Sequence, residues 1–193
     1  MGNLGSILNM FKRIGHAAMI TNDLKIIRTA SKLLLPGVGA FDHAMRRINE
    51  SGLRELLTQK VLGEKTPVLG ICLGMQLLTN SSDEGTLPGL GWIPGRTKRF
   101  PDQADLKVPH MGWNVVKSTR ESPLTIGLTE EARFYFVHSY YVQVEDEENS
   151  ILKTHYGITF DAAIQRENIF GAQFHPEKSH KFGMQLLKNF GNI

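Results

Sequence analysis

Cys72 is the single cysteine of this 193-residue chain, and it stands in the run Val68-Leu69-Gly70-Ile71-Cys72-Leu73-Gly74-Met75-Gln76. Apolar residues lead into a Gly-x-Cys-x-Gly turn, and a helical pattern follows. A strand that breaks sharply into a helix around a flanked nucleophile is a nucleophile elbow. The glycines permit the tight bend and leave the thiol exposed at the strand tip, while the helix N-terminus behind it favours the thiolate. Without that context a lone cysteine reads as a buried structural residue; with it, Cys72 reads as a nucleophile.

A cysteine nucleophile needs a base and a group that orients the base. Phe170-Gly171-Ala172-Gln173-Phe174-His175-Pro176-Glu177 contains both. His175 ends an apolar strand, and parallel strands of an α/β sheet finish on a common edge where ligands bind, so His175 can reach Cys72. Glu177 follows across a proline that sets the turn, and its carboxylate can accept a hydrogen bond from the imidazole and hold its tautomer. Acyl transfer also needs an oxyanion hole. The backbone N–H of Leu73 supplies one donor. The turn Leu35-Pro36-Gly37-Val38-Gly39-Ala40-Phe41 offers a second at Val38 and Gly39, because its glycines let backbone N–H groups approach a ligand. A plain strand-to-helix turn also fits that segment; its position after a buried strand favours the oxyanion role.

The elements that must position these groups alternate in the first half of the chain. Ile7, Met10, Phe11 and Ile14 recur at helical spacing, with Gly15 as a C-cap. Ala17 to Ile20 and Lys32 to Leu35 read as strands, Phe41 to Ile48 and Leu53 to Leu62 as helical pieces, and Val68 to Ile71 as the elbow strand. Buried strands alternating with helices predict a parallel sheet covered on both faces. The second half reads as short strands at Trp113 to Lys117, Phe134 to Val137, Tyr141 to Glu145, Ile151 to Tyr156, Ala162 to Gln165 and Ile169 to Phe174, closed by a helix over Phe182 to Phe190. Gly85 to Pro101 reads as loop. The expected fold is a three-layer α/β sandwich with a flavodoxin-like mixed sheet and antiparallel additions, formed by residues 1–193 as one domain. Its first strand is missing from the pattern, since the first helix begins about five residues in with no strand before it; a late start of the chain is the expectation.

Hydrophobic residues make up 41% and charged residues 21% of the chain, which fits a soluble globular protein with one full core. The net charge of +3 has no dense basic block beyond Arg96 to Arg99, so neither nucleic acid nor a membrane surface is indicated. One cysteine rules out an internal disulfide, and with no membrane-length apolar run and no visible signal peptide the expected location is cytoplasmic. No histidine and carboxylate cluster has metal-ligand spacing, so no metal or cofactor is expected.

Gly70-Ile71-Cys72-Leu73-Gly74-Met75-Gln76 and Phe174-His175-Pro176-Glu177 resemble the two signature blocks of the class I, triad-type glutamine amidotransferases. Across essentially the whole chain the resemblance is closest to the glutaminase subunits of imidazole glycerol phosphate synthase. Gly2-Asn3-Leu4, the Pro36 to Phe41 turn, Pro109-His110-Met111-Gly112-Trp113-Asn114, Phe136-Val137-His138-Ser139-Tyr140 and His175-Pro176-Glu177-Lys178-Ser179 carry it. The resemblance implies that Cys72 attacks the side-chain amide of glutamine, His175 shuttles the proton and Glu177 orients it. Gln76 and the backbone around Ser139 and Tyr140 would bind the glutamine. Ammonia would pass to a (β/α)₈ barrel cyclase subunit in a heterodimer, towards which Asn3, Trp113, Lys178 and Ser179 would lie. Glutaminases of this kind are nearly inactive until the barrel binds its ligand, and the Pro36 to Gly39 strand would reorient to complete the oxyanion hole. Family members open with an apolar strand before Gly-Asn; this chain does not.

On residue pattern alone, Trp113 also fits a core position, Lys178 a solvated charge and Gln76 a surface glutamine. His110 and His138 read as packed histidines without a catalytic role, and His16, His43, His155 and His180 as surface residues. Three alternatives stay open at this level. One is a paralogous glutaminase feeding a surface-sugar (lipopolysaccharide) amidotransferase; the others are a cysteine peptidase relative and a non-catalytic interaction subunit.

Overall fold

Val68–Cys72 is apolar apart from one glycine and buried at every position, and it forms the strand around which the chain is arranged. The computed structural model describes residues 4–103 and 106–193. Its helices are α1 (Leu4–Arg13), α2 (Leu24–Thr29), α3 (Phe41–Glu50), α4 (Leu53–Thr58), α5 (Leu73–Leu77) and α6 (His180–Asn192). Its strands are β1 (Leu33–Gly37), β2 (Val68–Cys72), β3 (Ser81–Ser82), β4 (Gly95–Arg99), β5 (His110–Val115) and β6 (Lys117–Ser118), followed by β7 (Arg133–His138), β8 (Tyr140–Val144), β9 (Ser150–Tyr156), β10 (Ile158–Arg166) and β11 (Ile169–Ala172).

A nine-stranded mixed sheet runs in the order β1-β2-β11-β10-β8-β4-β3, with β9 pairing to β10 and β6 to β9. β2 lies between β1 and β11, and both pairings are parallel. Gly37 is in register with Cys72, and Ile71 with Ala172. The C-terminal ends of all three strands therefore open on one edge. β5 and β7 form a separate antiparallel pair.

Side chains alternate across β2 and divide the core in two. Leu69 and Ile71 pack with α1 and α6 through Ile7, Met10, Phe11, Leu186, Leu187 and Phe190. Val68 packs on the opposite face with Phe41 and Met45 of α3 and Leu56 and Leu57 of α4. This is the three-layer arrangement that the strand–helix alternation predicts. Among the described residues no helix is long and apolar enough to cross a membrane.

Two expected elements differ. Residues 17–20 are irregular rather than a strand, with Met19 65% and Ile20 56% exposed. A lone extended segment needs a ladder partner, and β1 has β2 as its only strand neighbour among the described residues. Within the expected loop 85–101, Gly95–Arg99 is a strand, paired antiparallel to β8 and parallel to β3. Its sequence, Gly-Arg-Thr-Lys-Arg, hides a strand because only alternate residues are buried: Gly95 and Thr97 face in.

The elbow is closed by backbone contact. A Cβ on Gly74 would lie 1.7 Å from the Leu35 carbonyl oxygen, and one on Gly70 would lie 2.5 Å from the Gly74 carbonyl oxygen. Neither neighbour is a side chain that could swing away. Gly74→Ala is therefore expected to lower unfolding stability by about 1–3 kcal/mol or more, as overpacked cores do. Gly63→Ala, where a Cβ meets nothing within 4 Å, is the control and should stay within about 0.5 kcal/mol. Urea denaturation of both variants checks this, and equal midpoints would contradict the close-contact account.

Candidate active site

Cys72 sits at the β2–α5 junction with φ 55° and ψ −113°. Such a conformation costs a non-glycine residue roughly 1–3 kcal/mol and persists only where the surroundings enforce it. Here the flanking glycines let α5 lie directly on β1 and β2, so the chain must turn within one residue. α5 is only five residues long. Its dipole is correspondingly small, and the groups beside the thiol set its electrostatics.

His175 follows β11 by three positions, and its backbone is tied on both sides. Its N–H donates to the Tyr135 carbonyl at 2.9 Å, and its carbonyl accepts from Ser179 Oγ at 2.6 Å. Ser179 Oγ also accepts from the Tyr135 N–H at 3.0 Å. Ser179, expected at the partner interface, is thus fully buried and locks the His175 loop to β7.

The His175 ring joins Glu177 through Nδ1···Oε1 at 2.8 Å, with the two side chains 4% and 2% exposed. A carboxylate only accepts, so Nδ1 carries the proton and Nε2 is left for the thiol. Nε2 is buried and has no hydrogen-bond partner among the described groups, and Cys72 is the foremost of the groups that favour its proton. Catalytic contacts are commonly loose before substrate binds. Burial works against charge on this ring, but Cys72 first and then Glu177 outweigh it and hold its pKa up at about 9. The sulfur on one side and the carboxylate on the other both favour the protonated ring.

Gln173 was absent from the expected site. It is fully buried, and its Nε2 donates to Cys72 Sγ at 3.8 Å. Its Oε1 accepts from Gln76 Nε2 at 3.2 Å, and Gln76 Nε2 also donates to the Tyr140 carbonyl at 3.1 Å. Gln76 is 5% exposed, a wall residue rather than a surface one. The available signal for Gln173 was its spacing: residues two apart in extended chain share a face, so it accompanies His175.

These groups border an open pocket of about 400 Å³ lined by Val38, Gly39, Cys72, Leu73, Gln76, Glu84, His138, Ser139, Tyr140, His175 and Lys178, among others. A larger recess of about 560 Å³ between α1 and α6 offers Arg13, Lys181 and Lys188 but no nucleophile with its base. The smaller pocket is therefore the one that brings a nucleophile and its base together. The expected oxyanion residues Val38, Gly39 and Leu73 all line it. Val38 is 44% exposed and Gly39 has φ +100°, a conformation natural only to glycine. Among the described residues neither N–H of this turn has a hydrogen-bond partner, so both are available as donors.

Glu84 was also missed, and His138, read as a packed histidine, is buried at the pocket wall. Glu84 Oε2 accepts from the Phe41 N–H at 3.0 Å at the start of α3. Nothing in its local sequence marks it, because chain crossing alone brings it to the pocket. Of the expected partner-facing residues, Trp113 is 46% exposed and stacks on His180 with ring centroids 5.4 Å apart. Lys178 is exposed at the pocket rim, with Nζ 5.4 Å from the Tyr135 ring. Asn3 lies outside the described residues. Among the described residues no group of three or more His, Cys, Asp or Glu could hold a metal ion.

A junction thiol, a buried histidine–carboxylate pair and free backbone donors make an acyl-transfer site. The glutamine amidotransferase class-I family matches residues 4–192. The chain is 56% identical over 190 residues to the imidazole glycerol phosphate synthase subunit HisH 2 of Methanococcus maripaludis, covering 98% of this chain and 94% of the relative. It is 50% identical over 196 residues to the imidazole glycerol phosphate synthase subunit HisH of Bdellovibrio bacteriovorus, covering 100% and 96%. A crystal structure of a glutamine amidotransferase superposes with a TM-score of 0.77 at 15% identity, covering 100% of this chain and 95% of that one, a likeness of fold. With a family match over nearly its whole length and half or more of its residues shared with such relatives, the chain belongs to the class I glutamine amidotransferases and, within them, to the HisH subunits of imidazole glycerol phosphate synthase.

Proposed function

We propose that this chain is the glutaminase subunit of imidazole glycerol phosphate synthase, hydrolysing glutamine through Cys72, His175 and Glu177. The observation that carries the mechanism is the buried His175–Glu177 pair at 2.8 Å with its free nitrogen on the Cys72 side. Cys72 acts as its thiolate, its proton already held on His175 Nε2, and the sulfur attacks the side-chain amide carbonyl of glutamine. The N–H groups of Leu73 and of Val38 or Gly39 stabilise the oxyanion, each donor being worth ~2.7–4 kcal/mol of barrier. The His175 imidazolium gives its Nε2 proton to the departing nitrogen, which leaves as ammonia, and a thioester remains. Neutral His175 then takes a proton from water as it attacks. The thioester breaks, glutamate leaves and the imidazolium is restored. Gln76, Ser139 and Tyr140 hold the substrate, and Glu84 supplies the pocket carboxylate suited to its α-ammonium group.

The partner we infer is a (β/α)₈ barrel cyclase subunit that takes the ammonia within a heterodimer. Supporting this, the outer face of β5 presents Met111, Trp113 and Val115, 61%, 46% and 46% exposed, a row of large apolar groups of the kind that marks an interaction surface. Lys178 stands nearby at the pocket rim. The names of the relatives favour the histidine-biosynthesis role over the surface-sugar alternative. A catalytic free thiol suits a reducing compartment, and we place the protein in the cytoplasm.

Purified protein should hydrolyse glutamine weakly alone and strongly with the liganded barrel. In that complex Cys72→Ala should abolish turnover, and His175→Asn should lower kcat about 10²–10⁴-fold. Full glutaminase activity in Cys72→Ala would sink the mechanism.

The protonation state gives a second test. A pKa raised to about 9 keeps the His175 proton available below that pH, and kcat/KM should fall as pH rises through it. In ¹⁵N-imidazole NMR the His175 ring should titrate near 9, and lower in Cys72→Ala, because Cys72 is the foremost group raising it. A ring titrating at the ordinary 6.5 in both proteins contradicts the coupling.

A further inference from the structure

His110 and His138, unused by the mechanism, are 2% and 6% exposed and belong to one hydrogen-bonded chain. His138 Nδ1 lies 2.7 Å from the Tyr140 carbonyl oxygen, His110 Nδ1 lies 3.0 Å from His138 Nε2, and Asn114 Nδ2 lies 3.3 Å from His110 Nε2. Asn114 Nδ2 also donates to the His155 carbonyl at 2.9 Å.

Both ends of this chain are backbone carbonyls, which can only accept. The proton arrangement is therefore unique. Asn114 donates to His110 Nε2, His110 Nδ1–H donates to His138 Nε2, and His138 Nδ1–H donates to the Tyr140 oxygen. From Asn114 onward every link points towards Tyr140, and both rings are neutral. A proton added to either ring would set one donor against another. Burial agrees, pushing His110 down to about 4 and, as the foremost of several causes, His138 down to about 3. The His110 ring is clamped between Tyr156 and Phe136, with centroids 4.1 Å and 4.8 Å away and nearly parallel planes. The Tyr140 carbonyl at the end is the one that also accepts from Gln76 Nε2.

We propose that His110 and Asn114 are positioning residues for substrate binding: acting through His138, they hold the Tyr140 carbonyl, and with it Gln76 and the Ser139–Tyr140 wall, in the geometry that receives glutamine. The inference rests on the glutaminase reading of the pocket. The relay touches the binding wall and neither Glu177 nor the oxyanion donors, so its loss should weaken glutamine binding and spare the chemical step. β5 also carries the outward row of Met111, Trp113 and Val115 on its other face.

The test is steady-state glutaminase kinetics of the complex with its barrel partner. His110→Leu, which removes the donor, should raise KM for glutamine about tenfold with kcat within about threefold of wild type, the scale of one lost buried hydrogen bond. His110→Asn, whose amide can donate from the Nδ1 position, should recover KM to within about threefold. A folded His110→Leu protein with KM within about twofold of wild type, or with kcat reduced and KM unmoved, overturns the proposal. If His110→Leu does not fold, Asn114→Ala is judged by the same KM-against-kcat split, with an expected rise of about threefold. Glutamine binding to Cys72→Ala complexes, measured by calorimetry with and without the His110 change, reads the relay without turnover. A wild-type complex that binds glutamine and releases no glutamate overturns the glutaminase reading, and the relay then stands or falls on that difference in Kd.

Discussion

The closeness of the α5 backbone to the Leu35 carbonyl sets where the reacting groups can be. A Cβ on Gly74 would stand 1.7 Å from that oxygen, so α5 rests on β1 with no side chain between them. The chain leaving β2 then has a single residue in which to turn, and Cys72 takes a positive φ to do it. The register of β1 and β11 against β2 puts Gly37 beside Cys72 and Ala172 beside Ile71. The turn after β1 and the loop after β11 are thereby delivered to either side of the sulfur. In the proposed mechanism the oxyanion donors arrive from one neighbour and the base from the other, with no long loop needed to gather them.

Three histidines near this pocket are assigned opposite charge states by what surrounds them. His175 has a carboxylate on one nitrogen and a thiol on the other, and these outweigh burial. His138 and His110 have only carbonyl, imidazole and amide partners, and burial keeps them neutral. The charge on His175 adds to this, since it disfavours a second positive ring at His138. The ring whose protonation its partners favour stands beside the sulfur, and a neutral, directional chain of hydrogen bonds stands behind it.

The sequence disclosed what is local. The elbow, the His-Pro-Glu turn and the alternation of β2 each lie within a few residues, where sterics and spacing suffice to read them. Gln76 could be placed one helical turn past Cys72, but whether it faced water or the pocket depended on β8, which is distant in the chain. Glu84 was illegible for the same reason: an acid in a loop has no pattern until the loop is laid against α3. Residues 17–20 mislead in the opposite direction. Ala-Ala-Met-Ile has strand character, yet a strand is a relation between segments, and no described strand pairs with it. Gly95–Arg99 shows the converse, a polar run made a strand by its place between β8 and β3. Ser179 was legible as part of a signature but not as to role. Its hydroxyl turns inward to join His175 to β7.

The walls of the pocket differ in how firmly they are held, and that difference bears on how such a site is controlled. On one side Gln76, Gln173, Tyr140 and His138 are linked by hydrogen bonds, and the His138 ring is packed against Phe100, Phe136 and Phe160. Opposite them, the Val38–Gly39 turn is exposed and, among the described residues, its amides are unpartnered. A rigid wall cannot be switched cheaply, since moving it breaks several buried bonds, each worth about 1 kcal/mol net and more when a group is left unpaired. The turn can be switched, because rotating a glycine-flanked peptide disturbs no bond of that kind. In the proposed mechanism each oxyanion donor contributes ~2.7–4 kcal/mol to catalysis, roughly a hundredfold or more in rate. In that mechanism a partner that did no more than fix the turn would command the reaction, with the triad and the binding wall assembled throughout.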